Sequence, residues 1–220
     1  MIDIRRDGAL CTLVLDRPEK ANALTRAMLL RLTEAVAEAG RTAARVLVLT
    51  GTGTVFSAGA DLDEARKGLA TDPVWEGLSA ALAASPCLTV AALNGTLAGG
   101  AFGMALACDL RIAVPGARFF YPVMKLGFLP QPSDPVRLAA LIGPARARMI
   151  LMAAARVEAG EALAWGLVDR IVAPEALDAA VRDLAAAALA APEGHVAAIK
   201  AMIPAAAGRG AAPQPGLSGA

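Results

Sequence analysis

Two stretches of small residues, each following a short apolar run, constrain what this chain can fold into: Val55–Leu62 (VFSAGADL) and Asn94–Ala107 (NGTLAGGAFGMALA). Each places glycine and alanine where a strand gives way to a helix. The first turn of a helix leaves backbone N–H groups without intrahelical partners. With only small side chains nearby, a ligand oxygen can approach those groups closely. Two such turns aimed at one point would form an oxyanion hole, a site that stabilises negative charge developing on a carbonyl oxygen. The acids usual beside such machinery are absent from the neighbouring sequence: none lies between Glu76 and Asp109, or between Asp109 and Asp134.

The 220 residues suit one domain, or a domain with a C-terminal appendage. Hydrophobic residues make up 56%, much of it alanine, which predicts a helix-rich, closely packed core. Aromatics at 4% and a net charge of +1 without a basic run argue against nucleic acid and anionic membrane as partners. The arginines at 41–45 and 137–148 read as solvated helix faces. Cys11, Cys87 and Cys108 are far apart in apolar patterns, so they read as buried thiols in a reducing compartment. Three scattered cysteines and the lone His195, expected on the surface at a helix start, offer no metal site. Met1–Asp16 alternates apolar and charged residues rather than forming a leader, and no apolar run is long enough to span a bilayer. A soluble, cytoplasmic protein is expected.

Along the chain, Ile2–Arg6 and Leu10–Asp16 read as strands joined by the hairpin signal Asp7-Gly8. Thr25 should cap a helix to about Glu38, with Met28, Leu29, Leu32, Val36 and Ala39 at helical spacing. Val46–Thr50 and Leu88–Leu93 have the two-sided apolar character of buried parallel strands. Gly51–Ala60 reads as a glycine-rich loop, with Asp61 capping a short helix. Further helices are expected from Asp72-Pro73 to Ala84 and over Ala98–Ala107, with strands at Leu110–Val114 and Phe119–Tyr121. A proline-rich loop at Gly127–Pro135 precedes a mostly helical remainder. The order is α/β, with strand, strand, helix repeated about three times. The divisions are a core at 1–142, a helical part at 143–203, and a Gly/Pro/Ala-rich tail at 204–220 expected to be disordered.

The succession RPEKANALT, VLTGTGTVFSAGADL, AALNGTLAGGAFGMALACDLRIA and GEALAWGLVDRIV resembles the crotonase superfamily, the enoyl-CoA hydratase/isomerase family, over roughly Ile2–Ile203. The resemblance implies a crotonase-like ββα spiral core with a shortened helical C-terminal part. It further implies acyl-CoA thioester binding, with CoA as part of the substrate and no separate cofactor, and assembly as a homotrimer or hexamer. By position the two N–H groups that polarise the thioester carbonyl would belong to Ala60 and Gly100. The CoA would lie along Lys20, Ala21, Ala23 and Leu24, and along Ala58, Ala60, Asp61, Leu62 and Gly100.

Hydratases of the family carry two glutamates, and the matching positions here are Gly103 and Val123. Other members place a carboxylate later in the loop, where this chain has Gln131, an amide that cannot serve as a base. Gln131 reads equally as a substrate contact or an exposed loop amide. Asp134 reads first as a helix cap and second as a proton-transfer group. Asp61 reads as a cap or ion-pair partner, Tyr121 as a packed ring and Lys125 as a surface residue. Asp63, Glu64 and Glu76 either wall an acyl pocket or form a solvated helix face. A dinucleotide site around Gly95–Gly103 fails because no acid follows at the end of the next strand, and no phosphate-loop motif exists. The expected function is an acyl-CoA-binding enzyme working through thioester enolate stabilisation, and not an efficient hydratase. The alternative is a catalytically silent acyl-CoA-binding or assembly protein.

Overall fold

The computed structural model describes residues 1–203; the tail expected to be disordered lies outside the described residues. After an opening unit whose two antiparallel strands both join the large sheet, the architecture repeats one pattern, in which a strand joins the large sheet, the next short strand joins a small sheet, and a helix follows. The chain begins with strands β1 (Ile2–Asp7) and β2 (Leu10–Leu15) and helix α1 (Arg26–Gly40). The second unit is β3 (Val46–Gly51), β4 (Val55–Ser57), α2 (Leu62–Ala65) and α3 (Val74–Ala84). The third is β5 (Leu88–Leu93), β6 (Thr96–Ala98) and α4 (Phe102–Ala107), and the fourth is β7 (Leu110–Ala113), β8 (Arg118–Phe120), α5 (Val123–Leu126) and α6 (Asp134–Ile142). Helix α7 (Pro144–Leu151), strand β9 (Val157–Glu158), helix α8 (Ala159–Trp165), strand β10 (Arg170–Ile171) and helices α9 (Leu177–Ala190) and α10 (His195–Met202) complete the described chain.

The large sheet runs β1-β2-β3-β5-β7-β10 and the small one β4-β6-β8-β9. Strands β3, β5 and β7 are parallel neighbours in one sheet, and β4, β6 and β8 are parallel neighbours in the other. The chain therefore advances by one strand in both sheets with each unit, which is a spiral. The hydrophobic patterns explain the division. Strand β3 is buried at Val46–Leu49 and β5 at Thr89–Leu93, as the two-sided apolar runs predict. Helix α1 turns Met28, Leu29, Leu32, Ala35, Val36 and Ala39 inward, and the Thr25 side chain caps it by accepting from the Met28 N–H.

Three local expectations need correction. Gly51–Ala60 is not a plain loop, because Val55–Ser57 forms β4. Ala98–Ala107 is not helical throughout: Thr96–Ala98 is strand β6, a 3₁₀ turn covers Gly99–Ala101, and the α-helix starts at Phe102. The mostly helical remainder is interrupted by two short strands, β9 and β10. Strands of two or three residues carry too little alternation to show a period; they exist because neighbouring strands supply partners, in the small sheet for β4, β6 and β9 and beside β7 in the large sheet for β10. Among the described residues no helix is long and apolar enough to cross a membrane.

Candidate active site

The segments singled out at opposite ends of the first two units are stitched together by backbone bonds. Leu24 N–H donates to Gly59 O at 2.8 Å, Asp61 N–H to Leu24 O at 2.8 Å, and Ala58 N–H to Ala21 O at 3.0 Å. Asn22, fully buried, is the knot. Its amide nitrogen donates to Thr52 O (2.9 Å) and Val55 O (2.7 Å), and its amide oxygen accepts from Arg17 N–H (2.9 Å). The Ser57 hydroxyl donates to Asn22 O at 2.8 Å. Lys20–Leu24 thus runs beside Ala58–Asp61. Ala23 and Leu24 are buried in this strip, and both backbone groups of Leu24 are taken by Gly59 and Asp61, whereas Lys20 and Ala58 are exposed.

The second small-residue turn lies against the first. Gly59 has φ +93°, in the left-handed region. A Cβ there would stand 2.9 Å from Ala98 O and 3.4 Å from Gly100 N, so only glycine lets the two turns touch. Ala60 and Gly100 line one cavity of about 150 Å³ at this junction, with Ala58 and Leu62 at its edge. Neither the Ala60 nor the Gly100 N–H donates to an acceptor among the described residues. A larger cavity of about 220 Å³ lies between the large sheet and α9 and includes none of the residues singled out by sequence. The smaller cavity is the candidate on chemical grounds.

Residues that sequence reasoning missed form the rest of the wall. Trp75 of α3 packs on Gly100, its ring 3.2 Å from where a Cβ would be, and its indole N–H is fixed by Leu69 O at 2.8 Å. Phe120, Tyr121 and Val123 close the other side, and the exposed Phe128 and Leu129 stand at the rim. No spacing rule links α3 to the turn before α4, so the role of Trp75 was invisible until the helices packed.

The acids redistribute. Asp61 both caps α2, accepting from Asp63 and Glu64 N–H, and pairs with Arg17 at 2.8 Å. The Arg17 guanidinium and these N–H groups hold its carboxyl below the usual range. Asp63 pairs with exposed Arg66, and Glu64 accepts from Arg26 N–H at 2.7 Å. Glu76 reaches across to the start of α6, where it accepts from Ser133 N–H (3.2 Å) and the Ser133 hydroxyl (3.0 Å). His195 and Lys125 are exposed, as expected.

Two readings of the loop before α6 are overturned. Gln131 is buried, not a solvent amide, and its backbone carbonyl accepts the Asp134 N–H in the turn entering α6. Asp134 does not cap: it is the first residue of α6 and its side chain turns into the protein. It is fully buried, and its Oδ2 accepts from the Tyr121 hydroxyl at 3.0 Å. Its Oδ1 is the one buried side-chain nitrogen or oxygen without a partner among the described residues. A Cβ on Gly103 would lie 2.9 Å from that Oδ1 and 2.6 Å from Ser79 Oγ. Burial pushes the Asp134 carboxyl up to about 7, with Glu76 adding to the shift and Tyr121 and Arg137 opposing it. The carboxyl missing from the sequence around Gly103 is therefore present in space.

Among the described residues no cluster of His, Cys, Asp and Glu could hold a metal ion. Residues 5–214 match the family model for enoyl-CoA hydratase/isomerase. A probable enoyl-CoA hydratase, echA6, of Mycobacterium bovis is 41% identical over 172 residues, covering 78% of this chain and 70% of the relative. A carnitinyl-CoA dehydratase of Citrobacter koseri is 38% identical over 186 residues, covering 82% and 71%. The crystal structure of an enoyl-CoA hydratase from Mycobacterium marinum superposes with a TM-score of 0.84 at 33% identity, covering 91% of this chain and 97% of that one. With the spiral and the paired turns in place, these likenesses establish that the chain belongs to the enoyl-CoA hydratase/isomerase family and has the crotonase fold.

Proposed function

We propose that the protein binds acyl-CoA thioesters and stabilises the thioester enolate with the Ala60 and Gly100 N–H groups. The observation that carries this reading is the junction itself: two N–H groups without acceptors among the described residues, on abutting turns, lining one cavity. A volume of about 150 Å³ is too small to enclose a whole CoA thioester. The acyl end would be enclosed, and the nucleotide would lie along the Lys20–Leu24 and Ala58–Leu62 strip. The family resemblance supports a homotrimer or hexamer, and the buried free thiols support a reducing, cytoplasmic compartment.

Hydration is not the favoured reaction. Adding water across a double bond needs one group to activate the water and another to protonate carbon, and each is worth roughly a hundred- to ten-thousand-fold. The resemblance assigns those groups to positions 103 and 123, occupied here by glycine and a buried valine. Crotonyl-CoA hydration should therefore be very slow, and a rate like that of an efficient hydratase would show that other residues supply the chemistry. Calorimetry with short acyl-CoA thioesters tests binding. Gly100→Val should weaken it strongly, since the added carbons meet the Trp75 ring. No affinity for any acyl-CoA in the native protein would overturn the reading. Binding without turnover of any thioester would favour the second reading, a catalytically silent acyl-CoA-binding protein.

A further inference from the structure

We propose that Tyr121 and Asp134 form a proton-transfer dyad at the acyl end of this cavity, with the Asp134 carboxyl standing in the space that a side chain at position 103 would fill. The inference rests on the acyl-CoA reading above and names the group that moves the proton. Three observations place the dyad. Tyr121 lines the cavity, and its ring is stacked on Phe102 with centroids 5.5 Å apart, so the phenol has little rotational freedom. Its hydroxyl donates to Asp134 Oδ2 at 3.0 Å, which connects the cavity wall to a fully buried carboxyl. The other carboxyl oxygen has no partner among the described residues and lies over Gly103, an arrangement that costs stability and calls for a functional explanation.

The surroundings keep the carboxyl where it is. Glu76 binds Ser133, and Ser133 Oγ accepts from Arg137 at 2.7 Å, so the first turn of α6 is clamped to α3. The charged and titratable groups facing Asp134 are Tyr121, Glu76 of α3 and Arg137 of α6 itself. Helix α4, packed beneath it, runs Phe102–Ala107 and carries no ionisable side chain.

The step balances without a co-reactant. The Cα–H bond of the thioester breaks, and its electron pair becomes the enolate held by the Ala60 and Gly100 N–H groups. The proton goes to Tyr121 Oη as the Tyr121 proton passes to Asp134 Oδ2. Reversal at Cα gives exchange with solvent, and reversal at Cγ moves a double bond. One dyad suffices for this chemistry, whereas water addition needs a second group. Tyr121 is the catalytic residue here, and Asp134 is the acceptor behind it. Asp134 must be ionised to accept, so exchange should rise with pH through the neutral range.

The test is deuterium incorporation at Cα of butyryl-CoA in D₂O, followed by mass spectrometry, with calorimetric affinity and thermal unfolding measured on the same preparations. Native protein should catalyse exchange that increases between about pH 5 and about pH 9. Asp134→Asn and Tyr121→Phe should each lower exchange at least about a hundredfold while the affinity stays within a few-fold. Loss of the pH dependence in whatever exchange Tyr121→Phe retains would mark Asp134 as acting through the phenol. Tyr121→Phe removes a single oxygen and decides the matter alone if Asp134→Asn fails to fold. Exchange within about threefold of native in Tyr121→Phe overturns the dyad. Native binding without any exchange also overturns it while leaving the acyl-CoA reading intact, and native protein with no affinity for the thioester overturns both.

Discussion

Gly103 and Asp134 compete for one small volume, and this competition is the strongest residue-level feature of the site. A methyl group at 103 would press on Ser79 Oγ and Asp134 Oδ1, both belonging to buried residues. Gly103→Ala should destabilise the fold by about 1–3 kcal/mol, as overpacked cores do. Combining it with Asp134→Gly should recover the part of the loss due to Asp134 and leave the part due to Ser79, so a double-mutant cycle by chemical denaturation should be non-additive. The sign of the pH effect at Asp134 follows from its raised value of about 7. The folded state holds this proton where the unfolded chain releases it near the ordinary carboxylate range. The Asp134 contribution is therefore fully favourable at low pH and is lost as pH rises to about 7, at about 1.4 kcal/mol per unit of displacement. Asp134→Asn mimics the protonated carboxyl and should flatten this slope in denaturation series across pH. Asp61 works in the opposite sense, because its lowered carboxyl stabilises above the ordinary range and loses that effect as acid protonates it.

At the scale of elements, the site depends on how two loops are held against two strand ends. Asn22 binds Arg17, Thr52 and Val55 while itself sitting at φ +53°, a conformation that asparagine tolerates better than most residues. Asn22→Ala leaves the half-buried Arg17 N–H and Thr52 O without this partner, while Val55 O keeps a bond from Asn94 at 3.3 Å, and should cost roughly 1–3 kcal/mol, read from the denaturation midpoint. It should also weaken acyl-CoA affinity, because Lys20–Leu24 and Ala58–Asp61 lose their common anchor. Full affinity in that variant would show that the strip does not contact CoA. Elements whose signals are local were legible in the sequence. Thr25 capping α1 and Asp61 capping α2 need only neighbours three residues away. Strands β4 and β6 were not legible, because three-residue strands acquire their bonds from each other across the chain.

Over the whole molecule, the large sheet packs its apolar faces into one core that includes all three cysteines. Burial raises each thiol, and Cys108 is pushed up to about 12. Native protein should therefore resist a thiol-directed reagent at neutral pH, and labelling should follow global unfolding. Rapid native labelling of Cys108 would mean that α4 opens locally. That opening would matter for the site, because α4 carries Gly103 and follows directly on the turn holding Gly100.

The sequence by itself determined the alternation of helices with the buried parallel strands of the large sheet and the two small-residue turns, because each is written in consecutive residues as hydrophobic period, cap or glycine. It also determined that no acid stands near Gly103 along the chain. Only the tertiary structure decided that Asp134 turns inward from α6 to meet Gly103 and Tyr121, and that Trp75 of α3 lies on Gly100. Contacts of this kind depend on which volumes remain unfilled when helices from different units pack together. The missing side chain at 103 leaves such a volume, and packing alone brings a carboxyl into it.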